Sequence, residues 1–138
     1  DLALVLDIHH HHIHSSEYIR ANDDRIKRII DSWRGVRPVI HYSASREDVL
    51  VGHSTDYRPD LQLLLESGYK KAKLRAHSDF MWNRALNEWA YEHWQWADVM
   101  VEAKGKNLAS FGLYEFWKGL ENPVSSVFES KANSSTYA

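Results

Sequence analysis

The chain has 138 residues, of which 43% are hydrophobic and six are tryptophans, so it is long enough for one domain with a substantial core. Its 17 basic and 19 acidic residues nearly balance, which gives no overall sign of nucleic-acid binding, although a metal-dependent nuclease can be acidic because its cations supply positive charge. The lack of cysteine excludes disulfides and thiolate metal sites, and no apolar run could span a membrane, so a cytoplasmic location is expected.

The chain opens with an apolar stretch that runs into a series of possible metal ligands. Residues 2–12 (LALVLDIHHHH) predict a buried strand that ends in possible metal ligands, Asp7 and the histidine run His9–His12. In α/β proteins, active-site residues lie just past the carboxyl ends of parallel strands. Carboxylate oxygen and imidazole nitrogen are donors that Zn²⁺, Mn²⁺ and Fe²⁺ accept. Asp7 and His10 are therefore the first candidate ligands, and we expect the other histidines to support them or to lie in a loop.

Helix and strand signals alternate through the next part of the chain. Residues 22–35 predict a helix with capping oxygens at its start and a glycine at its end. Pro38 then disfavours helix, and residues 39–42 (VIHY) are typical of a second, short strand. Residues 59–68 predict a short helix that a second glycine ends.

The same alternation continues to the end of the chain. Residues 82–96 carry aromatic and apolar side chains at helical spacing, residues 98–104 predict the last strand, and residues 108–117 suit a closing helix. This order predicts an α/β fold with parallel strands and outer helices. About three such units are visible, which is too few for a closed (β/α)₈ barrel of roughly 250 residues.

Each strand end of the predicted fold presents ligand-type side chains. They are Asp7, His10, His41, His77 and Glu102. A single histidine of this kind is usually a hydrogen-bonded structural residue, and Glu102 alone could be the partner of Lys104. Several such groups at one rim would be costly without a cation, because buried charges must be paired or coordinated. The pattern therefore predicts a divalent-metal site.

Four segments resemble the motifs of the UV damage endonucleases, which are metal-dependent DNA repair enzymes with a TIM-barrel fold. The segments are LVLDIHHHH at 4–12, RPVIHYS at 37–43, RAHSDF at 75–80 and DVMVEAKGK at 98–106. They are similar to the family's D-x-H-H, K-x-H-Y-S, R-x-H-S/A-D and D-x-M-x-E-A-K motifs. The match runs in order and implies the carboxyl-terminal part of a family barrel. We therefore expect a partial TIM-barrel-like unit over residues 1–122 and a flexible tail over 123–138.

The resemblance also implies roles for single residues. All five candidates, Asp7, His10, His41, His77 and Glu102, match family metal ligands, and Glu102 and His10 are the residues we expect to take part in catalysis. The implied cofactor is a cluster of divalent ions, with manganese expected and zinc, magnesium or cobalt as alternatives. The implied reaction is a cut in the DNA backbone on the 5′ side of a lesion. The implied partner is damaged double-stranded DNA, which would place the protein at the nucleoid when bound.

Two departures from the family pattern stand out. The family lysine two residues before His41 is Val39 here, and His53 in an extra segment offers a second histidine motif that matches less well than His77. The ligands of the family's earlier strands find no counterpart in this chain. A second copy of the chain or an amino-terminal barrel half would have to supply them.

Other interpretations of the sequence remain open at this point. The same ligand types serve sugar isomerases and epimerases with a barrel fold, and a metal-binding half-barrel without activity would also fit. The basic residues of 70–75 could contact DNA phosphates or form a solvated loop. Three tryptophans could stack on bases, but their helical spacing favours a place in the core. These are Trp82, Trp89 and Trp94.

Overall fold

The computed structural model describes residues 2–121 and shows a mixed fold of helices and parallel strands. The elements are α1 (Ile8–Ser15), α2 (Asp24–Ser32), β1 (Val39–Tyr42), α3 (Leu61–Glu66), α4 (Lys71–Arg75), α5 (Arg84–His93), β2 (Asp98–Val101) and α6 (Asn107–Glu121). The strand predicted over 39–42 is confirmed, and the one predicted over 98–104 is confirmed over Asp98–Val101 only. The helices predicted within 22–35, 59–68, 82–96 and 108–117 are confirmed as well. The tail expected over 123–138 lies outside the described residues.

Local side chains and glycines set the ends of these helices. Asp23 begins α2 and Asp60 begins α3, each by accepting a hydrogen bond from a backbone N–H of the first turn. Asn83 does the same for α5 through the N–H of Leu86. Gly35 and Gly68 follow α2 and α3 with φ of 87° and 98°, a conformation that side chains with a Cβ rarely adopt. The sequence signals for these boundaries are therefore correct.

The first predicted strand is wrong, and with it the placement of the histidine run on a strand. Residues 2–6 form no ladder, and Leu2, Leu4 and Val5 are exposed. The histidines instead form α1, because the carboxylate of Asp7 accepts the N–H of His10 and starts a helix there. A single parallel bridge between Asp7 and His41 remains where the strand was expected.

The sheet of the described residues is a parallel pair in which β1 lies beside β2. His41 pairs with Met100, so their side chains point to the same face of the sheet, together with Val39 and Glu102 two residues away along each strand. This face is partly open to solvent. The opposite face is buried, with Ile40 and Tyr42 fully inaccessible.

The main core lies under the buried face and is covered by the helices that follow the strands. It contains, among others, Ile8, Ile40, Tyr42, Leu86, Trp89, Leu113 and Trp117. Tyr42 donates its hydroxyl proton to Oδ1 of Asn87 at 2.8 Å, and the amide of Asn87 donates to the carbonyl of Met81 at 2.9 Å. The side chains of Tyr42 and Asn87 therefore satisfy one another's buried polar groups, as burial requires.

His93 is a fully buried histidine in the same core. Its Nε2 lies 2.8 Å from the carbonyl oxygen of Ile19, and its Nδ1 accepts a hydrogen bond from the indole of Trp96 at 3.0 Å. Both ring nitrogens are thus used by a neutral imidazole that donates at Nε2. Burial lowers the pKa of His93, which keeps it neutral in the folded protein.

A second, smaller cluster packs beneath α3 and α4. It consists of Ile13, Leu50, Leu61 and Leu74, with Trp82 and other partly buried side chains against it. Because Ile13 lies on α1 and Leu74 on α4, this cluster fixes the helix that carries the histidine run against the segment that precedes His77.

None of the helices within residues 2–121 has both the length and the apolar character that crossing a membrane requires.

Candidate metal centre

Three chain segments run side by side in the same direction and end at one edge of the fold. The N–H of His41 donates to the carbonyl of Leu6 at 2.9 Å, and the N–H of Glu102 donates to the carbonyl of Tyr42 at 2.8 Å. Asp7, His41 and Glu102 therefore stand at neighbouring carboxyl ends, where side chains of adjacent segments meet.

The donor atoms of these three residues form one group. A carboxylate oxygen of Asp7, a ring nitrogen of His41 and a carboxylate oxygen of Glu102 all lie within 4.8 Å of one another. Nδ1 of His41 and Oε1 of Glu102 are 2.7 Å apart. The three side chains are partly buried, and 21% of Asp7 and 30% of Glu102 is exposed.

The other two predicted ligands border this group. Nε2 of His77 lies 3.7 Å from the second carboxylate oxygen of Glu102, and Nδ1 of His10 lies 3.4 Å from the carboxylate of Asp7. The rings of His10 and His77 are 5.9 Å apart. The structure thus brings all five sequence-predicted residues to one rim, with Asp7, His41 and Glu102 at its centre.

Backbone hydrogen bonds join the segment that carries His77 to the one that carries Glu102. The N–H of Lys104 donates to the carbonyl of Ser78 at 3.0 Å, and the N–H of Gly105 donates to the carbonyl of Asp79 at 2.8 Å. A Cβ at Gly105 would lie only 2.6 Å from that carbonyl oxygen, so the close approach requires glycine. No role was predicted for Gly105 from the sequence, because the contact that requires glycine is made with a segment more than twenty residues earlier in the chain.

The remaining histidines of the run support the rim from behind or lie apart from it. Nε2 of His9 lies 3.1 Å from the carbonyl of Leu74, and burial lowers the pKa of His9 to about 4. His12 is buried against the ring of Tyr18, and its pKa is also lowered by burial to about 4. His11 contacts Glu17 at 2.8 Å. Both buried imidazoles are therefore neutral near pH 7 and add no charge behind the centre.

The donor set fits a divalent cation. Two carboxylates and one imidazole combine the oxygen and nitrogen ligands that Mn²⁺, Zn²⁺ and Mg²⁺ accept in proteins. Donor atoms about 2.0–2.2 Å from one ion are at most roughly 4.4 Å apart, so these three donor atoms need to approach one another by only a few tenths of an ångström to bind the ion. Two carboxylates this close also repel one another, and a cation would relieve that repulsion. The identity of the metal stays a prediction.

Comparison with protein families decides which proteins this chain is related to. A family model described as UV-endonuclease UvdE matches residues 1–131. The chain belongs to this family. No curated protein and no solved structure gives a significant match. The resemblance inferred from the four motifs is therefore confirmed at the level of the family.

The structure shows where the two departures from the motifs of the UV-endonuclease family lie. Val39 lies on the same face of β1 as His41, so an apolar side chain stands there in place of the family lysine. His53 packs edge-on against Trp82, with its Nδ1 2.7 Å from the carbonyl of Ser54, and it does not belong to the three-donor group. Nε2 of His77, which is also outside that group, lies 3.7 Å from Glu102, and the choice of His77 over His53 stays a prediction.

The basic residues of 70–75 are mostly exposed, whereas two of the three tryptophans considered above pack in or against the main core. The basic residues of 70–75 form or flank the short helix α4, and Lys70, Lys73 and Arg75 are exposed. Trp89 is buried in the main core, as predicted, and Trp94 stacks on Trp117 with ring centres 5.1 Å apart. These two tryptophans are therefore structural. The third, Trp82, is partly buried and borders a surface cavity.

Proposed function

We propose that this chain is a divalent-metal-dependent DNA endonuclease that cuts the backbone on the 5′ side of UV-type lesions. The observation that carries the proposal is the three-donor group of Asp7, His41 and Glu102 within 4.8 Å, in a chain of the UV-endonuclease family. The family match favours DNA over a small sugar as the substrate, so the isomerase alternative has no observation of its own.

Each residue of the rim has a part in the proposed site. Asp7, His41 and Glu102 would hold one ion, and His10 and His77 would extend the ligand set beside it. Bound divalent ions, with manganese proposed first, would generate hydroxide and stabilise charge on the phosphate oxygens. Glu102 contacts both His41 and His77, so its carboxylate fixes the orientation of both imidazoles. His10 is the most exposed of the five and the best placed to exchange a proton with a substrate.

The exposed cations of α4 support binding of the DNA strand. Lys70, Lys73 and Arg75 lie on the segment that leads directly into His77. Phosphates that bind there would release counterions, so the affinity for DNA should fall as salt rises. We propose that this short helix positions the backbone next to the metal centre.

We also propose that the described unit is the carboxyl-terminal part of a TIM-type barrel. Parallel segments with helices on the buried side and ligands at their carboxyl ends are the arrangement of such barrels. The open face exposes Met100, and Leu4 and Val5 are exposed beside it on the segment that precedes Asp7. Apolar surface of this kind favours association. Sedimentation equilibrium of the chain alone is expected to show self-association, and a monomer at every concentration would contradict this part of the proposal.

A nicking assay tests the proposed activity. Supercoiled plasmid, either UV-irradiated or untreated, is incubated with the protein in Mn²⁺ or in EDTA. We expect nicks only in irradiated plasmid and only with metal, and roughly a hundredfold less nicking by Glu102→Gln. Glu88→Gln is the matched control, because Glu88 is an exposed glutamate on α5. Nicking that persists in EDTA, or that is equal in the two variants, would refute the proposal.

An end-labelled duplex with a single lesion then tests where the cut falls. The proposal predicts one product whose length corresponds to cleavage immediately on the 5′ side of the lesion. Cleavage at scattered positions, or at equal rate in undamaged duplex, would show a nuclease without lesion specificity.

A further inference from the structure

An aromatic side chain lies half exposed on the segment that follows His77. Phe80 follows His77 by three residues, and 52% of its surface is accessible. Its ring packs against the backbone at Gly105, where a Cβ would come within 2.9 Å of the ring carbon Cε1. Gly105 in turn follows Glu102 by three residues. The ring therefore lies between the two chain segments that carry His77 and Glu102.

The backbone beneath this ring is held on both sides. The carbonyls of Ser78 and Asp79 accept the N–H groups of Lys104 and Gly105, and the hydroxyl of Ser78 donates to the carbonyl of Phe80 at 2.6 Å. A ring fixed in this way loses little conformational freedom when a ligand covers it. Its exposure is thus a stable feature of the surface.

The ring also borders a surface cavity of about 470 Å³. The cavity is lined on its apolar side by Val51, Phe80 and Trp82, whose indole is tied to the carbonyl of Ser45 at 2.8 Å. Its charged lining residues are one cation and three anions: Arg46, Glu47, Asp48 and Asp79. Arg46 is already bonded to Asp48 through contacts of 2.8 and 2.6 Å. This lining disfavours a phosphate or another anion.

A flat, uncharged ligand with hydrogen-bond donors suits such a surface. Nucleobases stack on aromatic rings, and their amino groups can donate to carboxylates such as that of Asp79. A base carried by a strand whose phosphate lies at the metal centre is attached only a sugar away. A lesion weakens stacking in the duplex, so a damaged or neighbouring base leaves the helix at lower cost.

We propose that Phe80 is a stacking platform for an unpaired nucleobase of the DNA strand that the candidate metal centre engages. The choice of DNA as the ligand rests on the proposed function. The platform adds affinity for unstacked DNA without contributing to metal binding. The ring would be covered in the complex, with Trp82 and Val51 forming the wall beside the base.

Substitutions at Phe80 test this proposal. The affinity for a fluorescent, UV-irradiated duplex oligonucleotide is measured by anisotropy in EDTA, where no strand is cut. Phe80→Ala should weaken binding roughly tenfold, and Phe80→Trp should keep it. Phe80→Leu, which preserves apolar bulk without a π face, should bind nearly as weakly as alanine. Phe111→Ala is the matched control, since Phe111 is 62% exposed on α6 and is not among the residues that line this cavity.

Two further measurements separate stacking from a structural role and from the nuclease proposal. The thermal stabilisation by Mn²⁺ should be equal in the wild type and all Phe80 variants, and its loss in Phe80→Ala would overturn the platform. Equal affinity of Phe80→Ala or Phe80→Leu and the wild type would overturn it as well. A wild type that binds DNA through Phe80 but never nicks it refutes only the proposed function. A wild type that nicks irradiated DNA with the same KM as Phe80→Ala refutes only the platform.

Discussion

Replacing Glu102 with glutamine should change the stability of the protein in opposite directions with and without metal. The substitution keeps the size of the side chain and an oxygen that His41 can contact, but it removes one of two neighbouring negative charges. Without metal, we therefore expect a variant at least as stable as the wild type. With Mn²⁺, we expect a less stable variant, because a ligand of the ion has been weakened.

The magnitudes follow from the geometry of the centre. Two unit charges 4.8 Å apart, the upper limit of the separations within the group, repel by about 3.5 kcal/mol at an effective dielectric constant of 20. Asp7 is 21% and Glu102 30% exposed, so water and salt reduce this to about 1 kcal/mol. A ligand at a hundred times its dissociation constant stabilises the folded state by about 2.7 kcal/mol. The predicted reversal in the stability difference between Glu102→Gln and the wild type is therefore large enough to measure.

Urea unfolding in EDTA and in excess Mn²⁺ tests this expectation. The free energy of unfolding of Glu102→Gln should exceed the wild-type value by up to about 1 kcal/mol in EDTA and fall below it by about 2 kcal/mol in Mn²⁺. Glu88→Gln should follow the wild type in both conditions. If Mn²⁺ stabilised both variants equally, or if Glu102→Gln were strongly destabilised in EDTA, the argument for a metal centre at this carboxylate would be wrong.

Three other expectations concern the fold around the centre. Asn87→Ala should lower the free energy of unfolding by about 2–4 kcal/mol, because it leaves two buried polar groups unpaired. A double-mutant cycle with Tyr42→Phe should show a coupling energy of about 1 kcal/mol, and strict additivity would contradict the hydrogen bond between Tyr42 and Asn87. Gly105→Ala should lower the free energy of unfolding by about 1–3 kcal/mol and weaken Mn²⁺ binding, measured by calorimetry, roughly tenfold. Gly112→Ala should instead stabilise α6, because the added Cβ would have no atom within 4 Å. The free energy of unfolding of the wild type should fall as pH drops below 6.5, by up to about 1.4 kcal/mol per pH unit from His93, because the unfolded chain takes up a proton that the folded chain excludes. Urea unfolding from pH 8 to 5 should show a shallower decline for His93→Gln. An equal decline in both proteins would show that His93 does not cause the pH dependence.

The sequence predicted the parts of the fold that depend on neighbouring residues. The strand at Val39–Tyr42 and the helices capped by Asp23, Asp60 and Asn83 follow from side chains within a few positions of each boundary. The five rim residues were also predicted from their chemistry and their position at predicted strand ends, and the structure places them near one another, whereas their role as ligands stays a prediction. The predictions of helices and strands succeeded because hydrophobic periodicity and capping act over one or two turns of chain.

Only the tertiary structure decided what happens at the start of the chain and between distant segments. An apolar run such as residues 2–6 becomes a strand only if another segment pairs with it, and the pairing here is a single bridge between Asp7 and His41, directly before α1 begins. The contact of Gly105 with the segment after His77 joins residues far apart in sequence, so no local pattern reports it. The sequence by itself determined which carboxylate and imidazole side chains this protein carries. Long-range backbone hydrogen bonds, which depend on the whole packed chain, determined that those side chains meet.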